Sequence, residues 1–520
     1  SLPGRRRIFS YRARNLKGWK LRRRRPVKRP KAPRIPTRPP VEPRLVRRLC
    51  LAIILVIAFL TRVLPARWGP PYHLTGNDPF FQYRSADYVI RNGVQAYFSW
   101  LDDMAWHPYG RYIGRTSYPT LPFAAALFYA VVSALGAPVS LYEFCAAFPV
   151  LAGVATCLAL YAFAEYVGGT ETGLLAALFL ALCSSHIQRT EFGFFDDESM
   201  GVLLLTGLSL LYLRSIEPRL TLRRRLLYGV ACGLTLGCLI TEWGAHRYAL
   251  DLLGLFMALV VLLRRYSPSM ILPYAATIGV ASPFALALPR HGLRGFTSVD
   301  WAFLAGVLLV LCLLWARDRF GRRGRALTYA LLIAAVATVL ALVAAGHVRL
   351  PTGKFLAVVN PFHRKEIPII ESVAEHRTTS WDAFYLHMGV LLFLIPVGLY
   401  HAARRLGARD IYLIAYGVSS IFFAGSMVRL LLIAAPATCT IAALGVTSTV
   451  SPFIDVVRRG PTLPRRLRPR VGVAFSVVLP LTLLALILLP EPTGLVWSTR
   501  YVGTPSTLVA SSTPKRERVG

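Results

Sequence analysis

The sequence predicts an all-α, polytopic membrane protein of about thirteen transmembrane helices, and three observations carry that prediction. The 520-residue chain is 55% hydrophobic and only 16% charged, where a soluble protein of this length carries about a quarter charged residues. Windows such as Met270–Leu288, Leu327–Ala345 and Val471–Leu489 hold no charge at all, and such runs of roughly 20 residues cross a hydrocarbon core as helices. The arginines gather in short blocks between the apolar segments, the pattern that orients membrane helices with their basic loops inside.

The elements follow in order. Residues 1–48 are rich in Arg, Lys and Pro and almost free of acids, which predicts a disordered, solvated cytosolic tail. This tail lacks the apolar core and small-residue cleavage site of a signal peptide, and its basic run beside the first helix suits an anionic lipid surface. With the tail inside, the first helix at 49–65 runs outward, and its one charge, Arg62, is expected to snorkel to the interface. Further helices are expected at 141–164, 170–187, 199–214, 225–242, 248–263, 270–288, 300–316, 327–345, 383–402, 411–426, 427–447 and 471–489, between the basic blocks at Arg214–Arg225, Arg264–Arg265, Arg317–Arg325, Arg404–Arg409 and Arg458–Arg470. The apolar stretch Tyr118–Leu135 is kept out of the count. If it spanned, parity would turn every later basic block outward, so it is expected as an interfacial helix in an external loop. The transmembrane domain then covers 49–490, with external loops at 66–140 and 346–382 and an external C-terminal segment at 491–520.

The net charge of +35 is thus explained by topology, and no nucleic-acid partner is expected. The eight cysteines sit in apolar stretches without a CxxC pair, so neither a zinc site nor a disulfide framework is expected.

On this threading three external segments concentrate acids: Gly76–Ser85 with Asp78, Gly193–Ser199 with Asp196, Asp197 and Glu198, and Ile367–His376 with Glu371 and Glu375. Helix capping accounts for one carboxylate at a helix start, hardly for three. Clustered hard oxygen ligands at a membrane face suit Mg²⁺ or Mn²⁺. Arg429, on the same side, is placed either to snorkel or to grip a diphosphate bidentately.

These segments together resemble the catalytic subunit of oligosaccharyltransferase, in its eukaryotic form. Asp78-Pro79-Phe80-Phe81-Gln82-Tyr83-Arg84-Ser85 is similar to the family's D-P-W-F-N-Y-R-S motif, and Phe195-Asp196-Asp197-Glu198 to its F-D-N-E motif. Ser372-Val373-Ala374-Glu375-His376 resembles its S-V-S-E-H loop, and Trp100–Arg111, Tyr118-Pro119, Trp243-Gly244 and Met427–Leu430 also have counterparts. The resemblance implies a type-C glycosyltransferase architecture with thirteen helices. It implies transfer of an oligosaccharide from a dolichyl or other polyprenyl diphosphate to asparagine in Asn-X-Ser/Thr of nascent proteins, which is protein N-glycosylation. By the same resemblance Asp78 and Glu375 are catalytic, accepting the N–H groups of the acceptor amide. Asp78, Asp196 and Glu198 hold Mn²⁺ or Mg²⁺. Arg429 and Trp243 bind the lipid donor, and Arg189 orients a site carboxylate. Asp197 falls at a variable position of the motif and receives no role.

The family implies membrane lipid and other oligosaccharyltransferase subunits as partners. It also implies an endoplasmic-reticulum membrane location with a lumenal site, an archaeal plasma membrane being the alternative. Its W-W-D-Y-G domain, which reads the sequon hydroxyl, is expected after the last helix. The sequence opens on Ser1 and stops at Gly520 without that motif, so a truncated, split or lost domain is expected. The rival readings are another polyprenyl-phosphate-sugar-dependent type-C transferase such as a protein O-mannosyltransferase, a non-catalytic paralogue, or a transporter. A transporter would carry its ionisable groups near the bilayer midplane rather than in loops.

Overall fold

The structure, a computed structural model, describes residues 43–68, 74–296, 298–346, 374–459, 472–489, 494–496 and 499. Residues up to Arg47 and those from Arg48 onward form separate units. Most of the basic tail, positions 347–373 of the second external loop and most of the segment after 490 lie outside the described residues.

Helix α1 (Pro43–Val63) begins earlier than the expected 49. A series of short elements follows: α2 (Asp78–Asn92), α3 (Val94–Ser99), strand β1 (Leu101–Asp102) paired antiparallel with β2 (Arg111–Tyr112), α4 (Ile113–Thr116) and α5 (Thr120–Ala134). The bundle comprises α6 (Leu141–Gly168), α7 (Thr170–Leu182), α8 (Ser184–Ile187), α9 (Asp197–Ser215), α10 (Leu222–Glu242), α11 (His246–Leu262), α12 (Ile271–Ala287) and α13 (Gly292–Phe296). It continues with α14 (Val299–Ala344), α15 (Trp381–Met388), α16 (Leu391–Arg405), α17 (Ala408–Ser426), α18 (Leu431–Arg459) and α19 (Val473–Leu488).

Each of the expected windows falls mostly on helix. Among the described residues six are long and apolar enough to cross a membrane, and the pair Trp381–Met388 and Leu391–Arg405, bent by 83°, makes a seventh if counted as one span. Two backbone breaks interrupt the helices. Gly389 adopts φ 54° between α15 and α16, and Gly321 breaks α14 at φ 61°, ψ −130°. Glycine alone takes such angles without steric cost. The stretch Tyr118–Leu135 forms the fifteen-residue α5. It packs on α2 and touches α6 and α10, burying Leu121 and Ala125 while leaving Leu127, Phe128 and Leu135 exposed.

Helix α10 packs against α9 and α12, and α18 against α7, α16 and α17. Small residues permit these approaches. A Cβ on Gly398 of α16 would come within 2.0 Å of the Ile441 carbonyl oxygen of α18, so the two backbones touch there. Opposite ends of α9 carry opposite chemistry. At its C-terminal end Arg214 and Arg409 flank the Tyr166 ring at 4.2 and 3.8 Å, and Arg409 pairs with Glu217 at 2.5 Å, so two of the basic blocks meet. At its N-terminal end lie Asp196, Asp197 and Glu198.

The expectation for Arg62 is corrected. Instead of snorkelling, its side chain is fully buried. It donates to Thr190 Oγ1 at 2.8 Å and to the Ala58 carbonyl at 2.8 Å, and lies 2.7 Å from Nδ1 of His186. A buried guanidinium is tolerable because its donors find acceptors. Gly153 makes room for it: a Cβ there would sit 2.5 Å from Arg62 Nε. Arg62 therefore ties α1 to α8 and to the loop that carries the second acidic segment.

Candidate functional site

That loop is fixed by backbone bonds. The Phe192 N–H donates to the Arg62 carbonyl (2.9 Å), Gly193 N–H to Ala146 O (2.8 Å), and Thr75 N–H to Gly193 O (3.0 Å). The last bond brings the first acidic segment beside the second. Phe195 is completely buried and meets Phe148 edge to face at 5.7 Å, anchoring the residues that follow. Asp196 is the N-cap of α9, its carboxylate accepting from the Asp197 N–H at 2.8 Å. Asp78 opens α2, with Pro79 in the first turn, where proline's missing donor costs nothing. Gln82, one turn on, donates Nε2 to Asp197 Oδ1 at 2.6 Å, tying the N-termini of α2 and α9 together.

The third segment arrives through a short backbone pairing: Val428 N–H donates to Arg377 O (3.0 Å) and Thr379 N–H to Gly425 O (3.1 Å). Glu375, in the 3₁₀ turn Ala374–His376, thereby reaches Arg429 and Arg189. Arg189 Nη2 donates to Glu375 Oε1 at 2.7 Å. Arg429 Nη2 donates to Glu198 Oε1 at 2.6 Å, and its Nη1 lies 3.7 Å from Glu375 Oε2. Arg429, expected to hold a diphosphate, thus stands on the cavity lining between two carboxylates.

A cavity of about 430 Å³ opens at this end, lined by Asp78, Asp196, Asp197, Glu198, Trp243 and Arg429 among others. Glu375 and Arg189 stand behind it, joined through Arg429, and His376 takes Glu375's place on the lining. Trp243, 5% exposed, caps the C-terminus of α10. Its seat depends on Gly201 of α9, where a Cβ would lie 2.6 Å from the indole Cε3.

The electrostatics divide the acids. Burial, and after it the neighbouring Glu198, Asp197 and Asp78, hold the Asp196 carboxyl well above the usual carboxylate range. Burial alone would weaken the charge on Arg189, but Glu198 and Glu375 outweigh it and raise its pKa above the ordinary value. Glu198 is 2% exposed and keeps one oxygen on Arg429, with the Asp196 carboxyl within hydrogen-bonding reach. Among the described residues no group of three or more His, Cys, Asp or Glu side chains closes into a metal-binding cluster. Asp78, Asp196 and Glu198 share a cavity rather than a ready-made cage.

Several lining residues receive no role from the sequence: Gln82, Asp197, Arg111, Arg247 and Arg290. Asp197 sits inside a quoted motif, and Gln82 in another, so the signal for that pair was adjacency to the acids. Arg290 lies in no motif, and only the fold brings it to the cavity.

The family model described as "Oligosaccharyl transferase STT3, N-terminal" matches residues 46–442. Subunit STT3 of Dictyostelium discoideum dolichyl-diphosphooligosaccharide–protein glycosyltransferase is 29% identical over 431 residues, covering 81% of this chain and 59% of the relative. Subunit STT3B of Oryza sativa subsp. japonica is 29% identical over 433 residues, with the same coverage of 81% and 59%. The chain therefore spans less than two thirds of the length of these relatives. Among solved structures, the Archaeoglobus fulgidus oligosaccharyltransferase AglB in complex with an inhibitory peptide and a dolichol-phosphate aligns with a TM-score of 0.69 at 18% identity, over 89% of this chain and 56% of that one. The Archaeoglobus fulgidus oligosaccharyltransferase complex with Zn and sulfate aligns with a TM-score of 0.64 at 18% identity, over 88% and 53%. The chain thus shares the fold of these Archaeoglobus fulgidus structures.

Proposed function

The chain belongs to the oligosaccharyl transferase STT3 family, and from that premise we propose that it binds the lipid donor and a divalent metal for protein N-glycosylation. The reaction is transfer of an oligosaccharide from a dolichyl or related polyprenyl diphosphate to asparagine in Asn-X-Ser/Thr. The observation that carries the reading is the single cavity lined by Asp78, Asp196, Glu198, Trp243 and Arg429, with Glu375 tied to the same arginine.

In the reaction the acceptor amide nitrogen forms a bond to the anomeric carbon while the bond from that carbon to the diphosphate oxygen breaks. An amide nitrogen is a poor nucleophile because resonance occupies its lone pair. Asp78 and Glu375 accept its two N–H groups and turn it out of conjugation. Arg189 and Arg429 hold Glu375 for that task, and Trp243 offers an apolar wall to the donor.

The donor set fits a divalent ion. Asp196 and Glu198 are buried hard-oxygen ligands within hydrogen-bonding reach of each other. Mg²⁺ and ions like it bind through one or two carboxylates together with substrate phosphates and retained waters, so an open set is suitable. Asp78, Asp196 and Glu198 would hold Mn²⁺ or Mg²⁺, which when bound offsets charge on the leaving diphosphate. The Archaeoglobus fulgidus complex with Zn and sulfate supports a divalent ion in the family. The setting proposed is the endoplasmic-reticulum membrane with the cavity facing the lumen, beside other oligosaccharyltransferase subunits.

The test supplies the intact enzyme with an Asn-X-Thr peptide and either a polyprenyl-diphosphate oligosaccharide or a polyprenyl-monophosphate sugar. Glycosylation of the asparagine from the diphosphate donor alone is expected. Transfer from the monophosphate donor, or onto the threonine hydroxyl, would overturn the reading.

A further inference from the structure

Two arginines on the cavity lining have no place in the scheme above. Arg111, on β2, donates Nε to Thr116 Oγ1 at 3.0 Å, and Nη2 to Ser117 Oγ at 2.8 Å and to the Thr116 carbonyl at 3.4 Å. Arg290, from the loop after α12, donates Nη1 to that same Thr116 carbonyl. Two guanidiniums therefore converge on one oxygen, and both line the 430 Å³ cavity.

Neither forms an ion pair among the described residues. Arg84, Arg189, Arg247 and Arg429 each pair with an acid; among the described residues neither Arg111 nor Arg290 has a carboxylate within ion-pair distance. Burial, and next the charge of Arg290, lower the pKa of Arg111, as like charges at close range must. Both groups are held in place by aromatic faces. The Arg111 Cζ lies 4.6 Å from the centre of the Phe81 ring and 5.1 Å from that of Trp106, and Arg290 Cζ lies 4.2 Å from that of Tyr118. Guanidiniums fixed this way lose little further freedom on binding.

We propose that Arg111 and Arg290 form an oxyanion subsite in the cavity that takes a phosphate of the polyprenyl diphosphate donor. The identity of the ligand rests on the donor assignment above. A phosphate offers several oxygens to two planar forks at once and forms charge-assisted hydrogen bonds with both, which the neutral hydroxyls of a sugar cannot. Arg429, on the same lining, is shared with Glu198 and Glu375, so this pair adds cations for the diphosphate.

The experiment measures binding of farnesyl diphosphate, farnesyl monophosphate, farnesol and inorganic pyrophosphate to the intact protein in detergent, with a chelator present to remove metal. Arg290→Gln is the decisive variant because its side chain is exposed and its loss leaves the core untouched; Arg111→Gln and Arg290→Lys accompany it. Removing one charge-assisted contact weakens diphosphate binding by about tenfold, with farnesol unaffected and Arg290→Lys intermediate. Pyrophosphate that binds as well as farnesyl diphosphate would identify the free anion as sufficient, and pyrophosphate that binds more weakly would assign the site to the lipid; both keep the subsite, provided both depend on Arg290. Unchanged diphosphate affinity in Arg290→Gln and Arg111→Gln, or an equal loss of farnesol, overturns it. Normal glycosyl transfer by both variants with unchanged diphosphate binding would sink this inference alone. Arginine-dependent binding without any transfer would instead sink the proposed function.

Discussion

Glu198→Gln lowers the rate of glycosyl transfer by about a thousandfold, the loss expected when a charge that stabilises a transition state is removed from a water-poor site. The substitution keeps the shape of the side chain and an oxygen for Arg429, whose Nη2 lies 2.6 Å from Glu198 Oε1. What disappears is the negative charge of the buried carboxylate. Initial rates of peptide glycosylation at saturating donor measure the effect, and unfolding temperature checks that the bundle is intact. A rate close to that of the unchanged enzyme would remove Glu198 from the site.

Arg429→Gln acts first on stability. It strands Glu198, which is 2% exposed, and releases Glu375 from its second cation. Breaking one partner of a buried pair costs about 3 kcal/mol or more, because the remaining charge stays desolvated. Thermal unfolding in detergent therefore shifts sharply downward. The double variant with Glu198→Gln recovers much of the loss, since the stranded charge is then gone and the two effects are not additive. Arg429→Lys falls between, as a point charge reaches one carboxylate but lacks the fork that meets two. Additive losses in the double variant would mean that the ion pair does not carry the effect.

The helical windows were legible in the sequence because charge-free runs and basic blocks are one-dimensional signals. Asp78, Asp196 and Glu198 were legible too, as acids gathered in segments that the basic blocks place on one side. Arg62 was misread for a physical reason: an arginine near a helix end snorkels by default, and only the fold reveals His186 and Thr190 waiting as partners. The role of Arg429 was half read. Its side of the membrane was inferable, but its commitment to Glu198 and Glu375 depends on the pairing of Val428 with Arg377 and of Thr379 with Gly425. Arg290 was invisible, because nothing in the sequence relates it to Thr116, 174 positions away. The break at Gly321 falls in the basic block Arg317–Arg325, where the sequence already separates two helices, whereas the bend at Gly389 carries no hydropathy signature.

The central claim is that one cavity joins carboxylates for a divalent ion to a seat for a lipid diphosphate, and Mn²⁺ binding followed by electron paramagnetic resonance tests it most directly. The account predicts a single tightly held Mn²⁺ whose affinity rises when a short polyprenyl diphosphate is added, and which is lost in Glu198→Gln and weakened in Asp78→Asn and Asp196→Asn. No tightly bound Mn²⁺ in the presence of the diphosphate, or undiminished binding in all three variants, would contradict it.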